Sequence, residues 1–92
     1  MTTTNDIGAI YRVTGETFFY GVEPIEDDGY ESIRVSQGDI LVVIDVCHIP
    51  GSGQNAFQTI LLHPTKGLVS IGHGKGKTIE STSWGIYLRR LS

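Results

Sequence analysis

Residues 35–46 read VSQGDILVVIDV, a polar turn that runs directly into an apolar stretch. Gly38 and Asp39 are typical turn residues, and the β-branched residues that follow favour a strand over a helix. An unbroken apolar run of this length is typical of a strand buried on both faces. The stretch therefore predicts a central, fully buried strand over residues 40–48, entered through a turn that the Asp39 side chain caps.

This strand contains two residues with charged or reactive side chains, Asp45 and Cys47. Asp45 interrupts the apolar run and needs either solvent or a donor such as Arg34 or Arg90. Cys47, the only cysteine, reads as a small buried apolar residue. A lone cysteine excludes an intrachain disulfide and a thiolate metal cluster, so we expect a reducing, cytoplasmic location.

Short β-prone segments lie on both sides of this strand, and no window has the periodicity of an amphipathic helix. Glycine, proline and acidic residues separate the segments. We expect an all-β fold with five main strands and a solvated acidic loop over residues 23–30. The predicted β segments cover residues 7–13, 17–22, 40–48, 57–63, 68–71 and 84–91, and a short 3₁₀ turn is predicted within residues 78–83. Between the acidic loop and the turn, Ile33 and Val35 resume an apolar spacing.

Length and charge place the chain among small globular domains. Ninety-two residues predict one domain, over residues 7–92, after a flexible N-terminus of residues 1–6. Neither a signal peptide nor a membrane-spanning run is predicted, so no membrane partner is expected. Residues 1–50 hold nine acids and two bases, a net of −7, whereas residues 51–92 hold one acid and five bases, a net of +4. This polarity is typical of complementary surfaces within one domain or of separate faces for partners.

Several segments together resemble the SH3-like small β-barrel family over residues 7–91. Residues 9–13, AIYRV, are similar to the opening Ala-Leu-Tyr-Asp-Tyr motif of that family, and residues 35–43 are similar to its Lys-Gly-Asp-Ile-Leu segment. The acidic loop at 23–31 lies where the family has its long RT loop, and residues 64–67 lie where it has its distal turn. The resemblance implies a five-stranded SH3-like barrel with a long acidic loop after the first strand.

The same resemblance implies a binding role, although the chain lacks the motifs with which members of the family bind polyproline. Ala56 and Phe57 stand where peptide-binding members have a tryptophan pair, and no proline follows Pro64. We therefore expect a non-catalytic protein interaction or assembly module, with no cofactor. Small barrels of this kind also serve as accessory pieces of larger complexes, including virus particles, and exposed aromatic residues also suit a homo-oligomer. The residues predicted to contact a protein partner are Tyr11, Tyr20, Glu26, Asp27, Asp28, Tyr30, Trp84 and Tyr87.

The basic half of the chain supports an alternative function. The segment 72–78, GHGKGKT, places Gly72 and Gly76 one residue too close for a P-loop, and no good helix follows it. Flexible lysines can still contact phosphate groups, so the alternative is a barrel that binds nucleic acid or a phosphorylated small molecule. Its predicted phosphate-binding residues are Lys75, Lys77, Arg89 and Arg90.

The histidines give no local metal motif, although His48 and His63 flank one loop and are predicted to face each other across a hairpin. No set of acid, base and nucleophile emerges from the spacing of polar residues. We therefore predict no catalytic residues and no metal site.

Overall fold

The computed structural model describes residues 7–25, 29–49, 51 and 53–92. Within these residues the chain forms seven β-strands and two short 3₁₀ helices, η1 and η2. In chain order the elements are β1 (Ile10–Val13), β2 (Thr17–Pro24), β3 (Tyr30–Val35), β4 (Ile40–His48), β5 (Ala56–His63), β6 (Gly67–Gly74), η1 (Ile79–Ser81), η2 (Ser83–Ile86) and β7 (Leu88–Arg90).

The strands form one antiparallel sheet in the order β3-β2-β6-β5-β4-β1-β7, and the end strands β3 and β7 do not pair with each other. The all-β prediction is confirmed. The described residues form seven strands where five main strands were expected. The predicted flexible N-terminus, residues 1–6, lies outside the described residues. No helix in the described part of the chain is long and apolar enough to cross a membrane.

Strand β4 has the predicted range and is central, because it pairs with β1 on one side and with β5 on the other. The prediction that it is fully buried is wrong. Leu41 and Val43 are buried, whereas Ile40 and Ile44 are 36% and 38% exposed. The strand therefore has one face in the core and one face towards solvent, as strands of antiparallel sheets commonly do.

Asp45 lies at an irregularity of β4. The pairing register with β5 shifts between Val43 and Asp45, which marks a β-bulge. The Asp45 side chain is exposed, and its Oδ1 accepts a hydrogen bond of 2.8 Å from the Val46 backbone N–H. Solvent and this local contact satisfy the carboxylate, so the strand holds an acid without an arginine partner in the described residues.

The acidic segment after β1 contains more regular structure than expected. Residues 23 and 24 belong to β2, and β3 begins at Tyr30, so the two strands form an antiparallel hairpin where a solvated loop was predicted. Because β3 is at the edge of the sheet, its one acid, Glu31, stays in water while its backbone still pairs with β2. The predicted partner-binding residues Glu26, Asp27 and Asp28 lie outside the described residues.

The C-terminal prediction also needs correction. Residues 84–91 were expected to form a strand, but Trp84 lies in η2 and only Leu88–Arg90 are in β7. A 3₁₀ turn over part of residues 78–83 is confirmed by η1, at whose start the Thr78 backbone N–H donates to Ser81 Oγ. The early turn brings Trp84 back against β2 instead of letting it extend along the sheet edge.

One apolar cluster forms the core. It combines inward side chains of all seven strands with Ile79 of η1, and Ile33 and Trp84 pack against it. Its buried members are Ala9, Tyr11, Val13, Phe19, Val35, Leu41, Val43, Leu61, Val69, Ile71, Ile79 and Leu88.

Candidate functional site

An aromatic pocket of about 250 Å³ lies between the β2–β3 hairpin, the sheet and η2. Its walls are Tyr20 of β2, Tyr30 of β3, Trp84 of η2 and Ile49, which follows β4. Tyr20 is 40% exposed, and the other three side chains are half-buried. The pocket therefore presents rigid aromatic surface to solvent, which is the kind of surface that dominates protein interfaces.

The floor of the pocket is polar and comes from neighbouring strands. Gln58 of β5 and Ser70 and Gly72 of β6 form it, and Gln58 is directly opposite Gly72 in the sheet. A Cβ at Gly72 would lie 3.7 Å from Ile49 Cδ1, so the missing side chain leaves part of the space empty. The Ser70 hydroxyl contacts the backbone carbonyls of Tyr20 and Gly21 at 3.3 and 3.2 Å, which ties β6 to β2.

Gln58 is the unusual member of this floor because it is an amide that is only 5% exposed. Its Nε2 donates to Cys47 Sγ at 3.7 Å, a weak contact. Among the described residues, no other hydrogen bond of this side chain is seen. Since Gln58 lines the pocket, its remaining hydrogen-bonding capacity is available to a ligand.

Trp84 is held in place on three sides. Its Nε1–H donates to the Phe18 backbone carbonyl at 3.0 Å, and its ring meets Phe19 and Tyr20 edge to face at centroid distances of 6.4 and 6.1 Å. Indole N–H groups and aromatic edges fix a ring more firmly than apolar packing alone. The wall is thus formed before any ligand binds.

The pocket brings together three of the residues that the sequence predicted for a partner site, namely Tyr20, Tyr30 and Trp84. Tyr11 and Tyr87 are not among its lining residues. Tyr11 is 1% exposed and belongs to the core, so a partner cannot reach it in the folded protein. Tyr87 is half-buried, and its ring packs against Gly15, where a Cβ would lie 3.3 Å from Tyr87 Cδ1.

Tyr11 has a structural contact instead. Its hydroxyl donates to Glu80 Oε2 at 2.8 Å and so links β1 to η1. Burial, with the Glu80 carboxylate second, raises the pKa of Tyr11 to about 12. The neutral phenol is therefore the folded form throughout the physiological range.

We expect Tyr11→Phe to lower the free energy of unfolding by about 1 kcal/mol, because the ring still fills the core but Glu80 loses its donor. Urea unfolding at neutral pH measures this. The difference in unfolding free energy between the original chain and Tyr11→Phe should disappear as pH rises from about 10 to about 12. The phenol ionises near pH 10 in the unfolded chain but only near pH 12 in the folded chain, so its stabilising effect is lost over this interval. A constant difference across that range would show that the Tyr11 hydroxyl adds nothing through Glu80.

The basic residues predicted to bind phosphate do not form one cluster. Lys75 and Lys77 follow β6, whereas Arg89 and Arg90 are in β7, and β5, β4 and β1 lie between these strands in the sheet. Arg89 and Arg90 are successive strand residues, so their side chains point to opposite faces. The residue opposite Arg89 is Arg12, which the sequence did not single out.

The histidines have separate roles. His63 is buried, and its Nε2 contacts Asp39 Oδ2 at 2.7 Å, while His48 is directly opposite Phe57 and not His63. The predicted cap by Asp39 is confirmed, since the same Oδ2 accepts from the Ser36 N–H at 2.9 Å. In the described part of the chain, no group of three or more histidine, cysteine or acidic residues is placed to hold a metal ion.

Sequence reasoning missed Ile49, Gln58, Ser70 and Gly72. The only local signal was Gln58, a large polar residue within a run that otherwise reads as a buried strand. The pairing of Tyr20 with Ser70 places the hairpin over the floor, and this contact joins residues that are distant in the chain.

No protein-family model, curated protein or solved structure matches this chain.

Proposed function

We propose that the protein is a non-catalytic interaction module that binds a segment of a partner protein in the aromatic pocket. The observation that carries this proposal is the combination of a firmly held aromatic wall with a buried amide in the floor. An apolar pocket with one well-placed polar group is the usual form of a site for a side chain. The partner side chain would be large and apolar, with a hydrogen-bonding group that reaches Gln58.

The charge of the hairpin supports a basic partner segment. Glu23 and Glu31 are exposed on β2 and β3, and neither is in an ion pair within the described residues. Glu31 follows the pocket residue Tyr30 in β3, so its side chain points to the opposite face of the strand. The two acids nevertheless give the hairpin beside the pocket a negative charge, and this attracts a basic segment and raises its association rate.

We also propose that the fold is a five-stranded SH3-like barrel. Strands β2 and β3 form a hairpin within the long acidic segment after β1, which leaves β1, β4, β5, β6 and β7 as the five remaining strands. This count, and the 3₁₀ helices before β7, support the proposal. The presence of one cysteine supports a cytoplasmic setting, in which the module would join larger assemblies.

Selection from a random peptide library tests the proposed function. We expect the selected peptides to share an aromatic or long apolar residue next to Lys or Arg. Tyr20→Ala and Tyr30→Ala should each weaken binding of such a peptide about tenfold or more, which corresponds to about 1.4 kcal/mol. Calorimetry with the purified variants gives the affinities.

Phe18→Ala is the matched control, because Phe18 is another exposed aromatic residue of β2 and does not line the pocket. Its affinity should stay within about twofold of the original chain. Equal losses in all three variants, or none in the two tyrosine variants, would contradict the pocket as the binding site. Sedimentation at several concentrations tells whether a second copy of the chain occupies it instead.

A further inference from the structure

Two arginines face each other at the β1–β7 edge of the sheet. Arg12 and Arg89 are directly opposite in the antiparallel register, so their side chains leave the same face. Both are exposed, and within the described residues neither guanidinium is in an ion pair. Like charges directly opposite each other destabilise a sheet, so this pair lowers the stability of the fold. A bound anion would offset that loss.

The arginines border a polar hollow of about 330 Å³, which shares no residue with the aromatic pocket. Thr14, Gln37 and Gly38 complete its lining together with Val13. The backbone N–H of Gly38 donates to the Val13 carbonyl, and the backbone N–H of Thr14 donates to the Tyr87 carbonyl. The Gln37 side chain has no hydrogen bond among the described residues, so its amide can donate alongside the guanidinium groups.

We propose that Arg12 and Arg89 form a binding site for a phosphate ester, with Gln37 as an additional donor. Guanidinium groups match phosphate oxygens with paired hydrogen bonds, and two of them balance the near-double charge of a phosphate monoester. The volume of the hollow corresponds to roughly ten water molecules, which leaves room for part of the esterified group. This site is independent of the proposed protein interaction.

The test is an NMR titration of the labelled full chain that follows the arginine Nε–H and glutamine side-chain signals. Inorganic phosphate, phosphoserine and a nucleoside monophosphate are added separately, with sodium chloride at equal ionic strength as the reference. We expect saturable shifts at Arg12, Arg89 and Gln37, with a dissociation constant of the order of 1 mM for at least one phosphate compound. Equal affinity for all three assigns recognition to the phosphate alone, and a preference identifies the esterified group.

Arg12→Gln and Arg89→Gln should each weaken phosphate binding about tenfold or more. The matched control is Arg34→Gln, because Arg34 is an exposed strand arginine that pairs with Glu16 at 3.8 Å. Its loss should leave phosphate binding unchanged. Shifts that sodium chloride reproduces, or a phosphate affinity that survives Arg12→Gln and Arg89→Gln, would overturn the proposal.

Discussion

Gly85→Ala is expected to lower the free energy of unfolding by about 2 kcal/mol or more. A Cβ at Gly85 would lie 2.7 Å from the Glu80 carbonyl oxygen and 3.1 Å from its carbonyl carbon and Cα. All three are backbone or Cα positions of η1, so no flexible side chain can move aside. The added methyl must push η2 away from η1, and overpacking of this kind is strongly destabilising.

Thermal or urea unfolding measures the effect, and for a domain of this size 2 kcal/mol corresponds to a fall in Tm of roughly 8 °C or more. Gly53→Ala is the matched control. Apart from its chain neighbours, no heavy atom of the described residues lies within 4 Å of its would-be Cβ, and its φ is not in the left-handed region. Its stability should change by less than about 0.5 kcal/mol. Similar losses in both variants would contradict the close contact between Gly85 and Glu80.

Gly85→Ala also bears on the proposed function because Trp84 precedes Gly85 in η2. A displaced η2 shifts the indole away from Tyr20 and from the Phe18 carbonyl, so peptide affinity should fall even under conditions where the variant is folded. The same experiment on Gly53→Ala should leave peptide affinity unchanged. The packing of the two 3₁₀ helices is thereby linked to the aromatic wall of the pocket.

The sequence predicted those features that depend on local pattern. The range of β4 and the Asp39 cap follow from a turn followed by a β-branched run, and both are present in the structure. Full burial of β4 was not predictable from the run, because Ile40 and Ile44 are apolar yet face outward. Apolar composition constrains the core but does not say which apolar residues remain outside it.

Features that depend on distant pairing were harder to predict. The β2–β3 hairpin contains acids and a proline, which disfavour a central strand. Glu31 lies on the edge strand β3, and Pro24 is the last residue of β2, beyond the pairing of that strand with β6 at Tyr20. Tyr11 and Tyr20 look alike in sequence, yet the first is buried and the second is 40% exposed. Only the tertiary fold distinguishes them. The burial of Gln58 beneath the hairpin likewise depends on the tertiary fold and not on the local sequence.

His63 is the subject of the second large stability prediction, because it joins two turns. Its Nδ1 accepts hydrogen bonds from the Thr65 and Lys66 N–H groups, both at 3.1 Å. Nδ1 is therefore the unprotonated nitrogen, and Nε2 carries the hydrogen that points at Asp39 Oδ2. One buried ring thus connects the turn before β4 to the turn between β5 and β6.

We expect His63→Ala to lower the free energy of unfolding by about 2–4 kcal/mol, since it leaves a cavity and removes the acceptor of two N–H groups. Asp39→Asn should lower the free energy of unfolding much less, because an amide oxygen at the position of Oδ2 can still accept hydrogen bonds from Ser36 and His63. Urea unfolding of both single variants and the double variant gives the interaction energy between the two positions. An energy near zero would show that the contact does not couple the turns.

Measurements of unfolding free energy at acid pH separate the effect of the Asp39 charge from the effect of the size and hydrogen bonds of its side chain. The Ser36 N–H, followed by the His63 hydrogen bond, holds the pKa of Asp39 below its ordinary value of 3.8. A lowered folded pKa means that the carboxylate stabilises the fold above about pH 4, and that this contribution fades as pH falls through the folded pKa. The difference in unfolding free energy between the original chain and Asp39→Asn should therefore be constant above about pH 4 and narrow as pH falls below it. In His63→Ala, which lacks one cause of the shift, NMR titration of the Asp39 carboxyl carbon should give a higher pKa than in the original chain. If that pKa is unchanged, the Ser36 N–H and the Lys66 charge account for the lowered value, and the His63 contact acts only through packing and the hydrogen bonds at Nδ1.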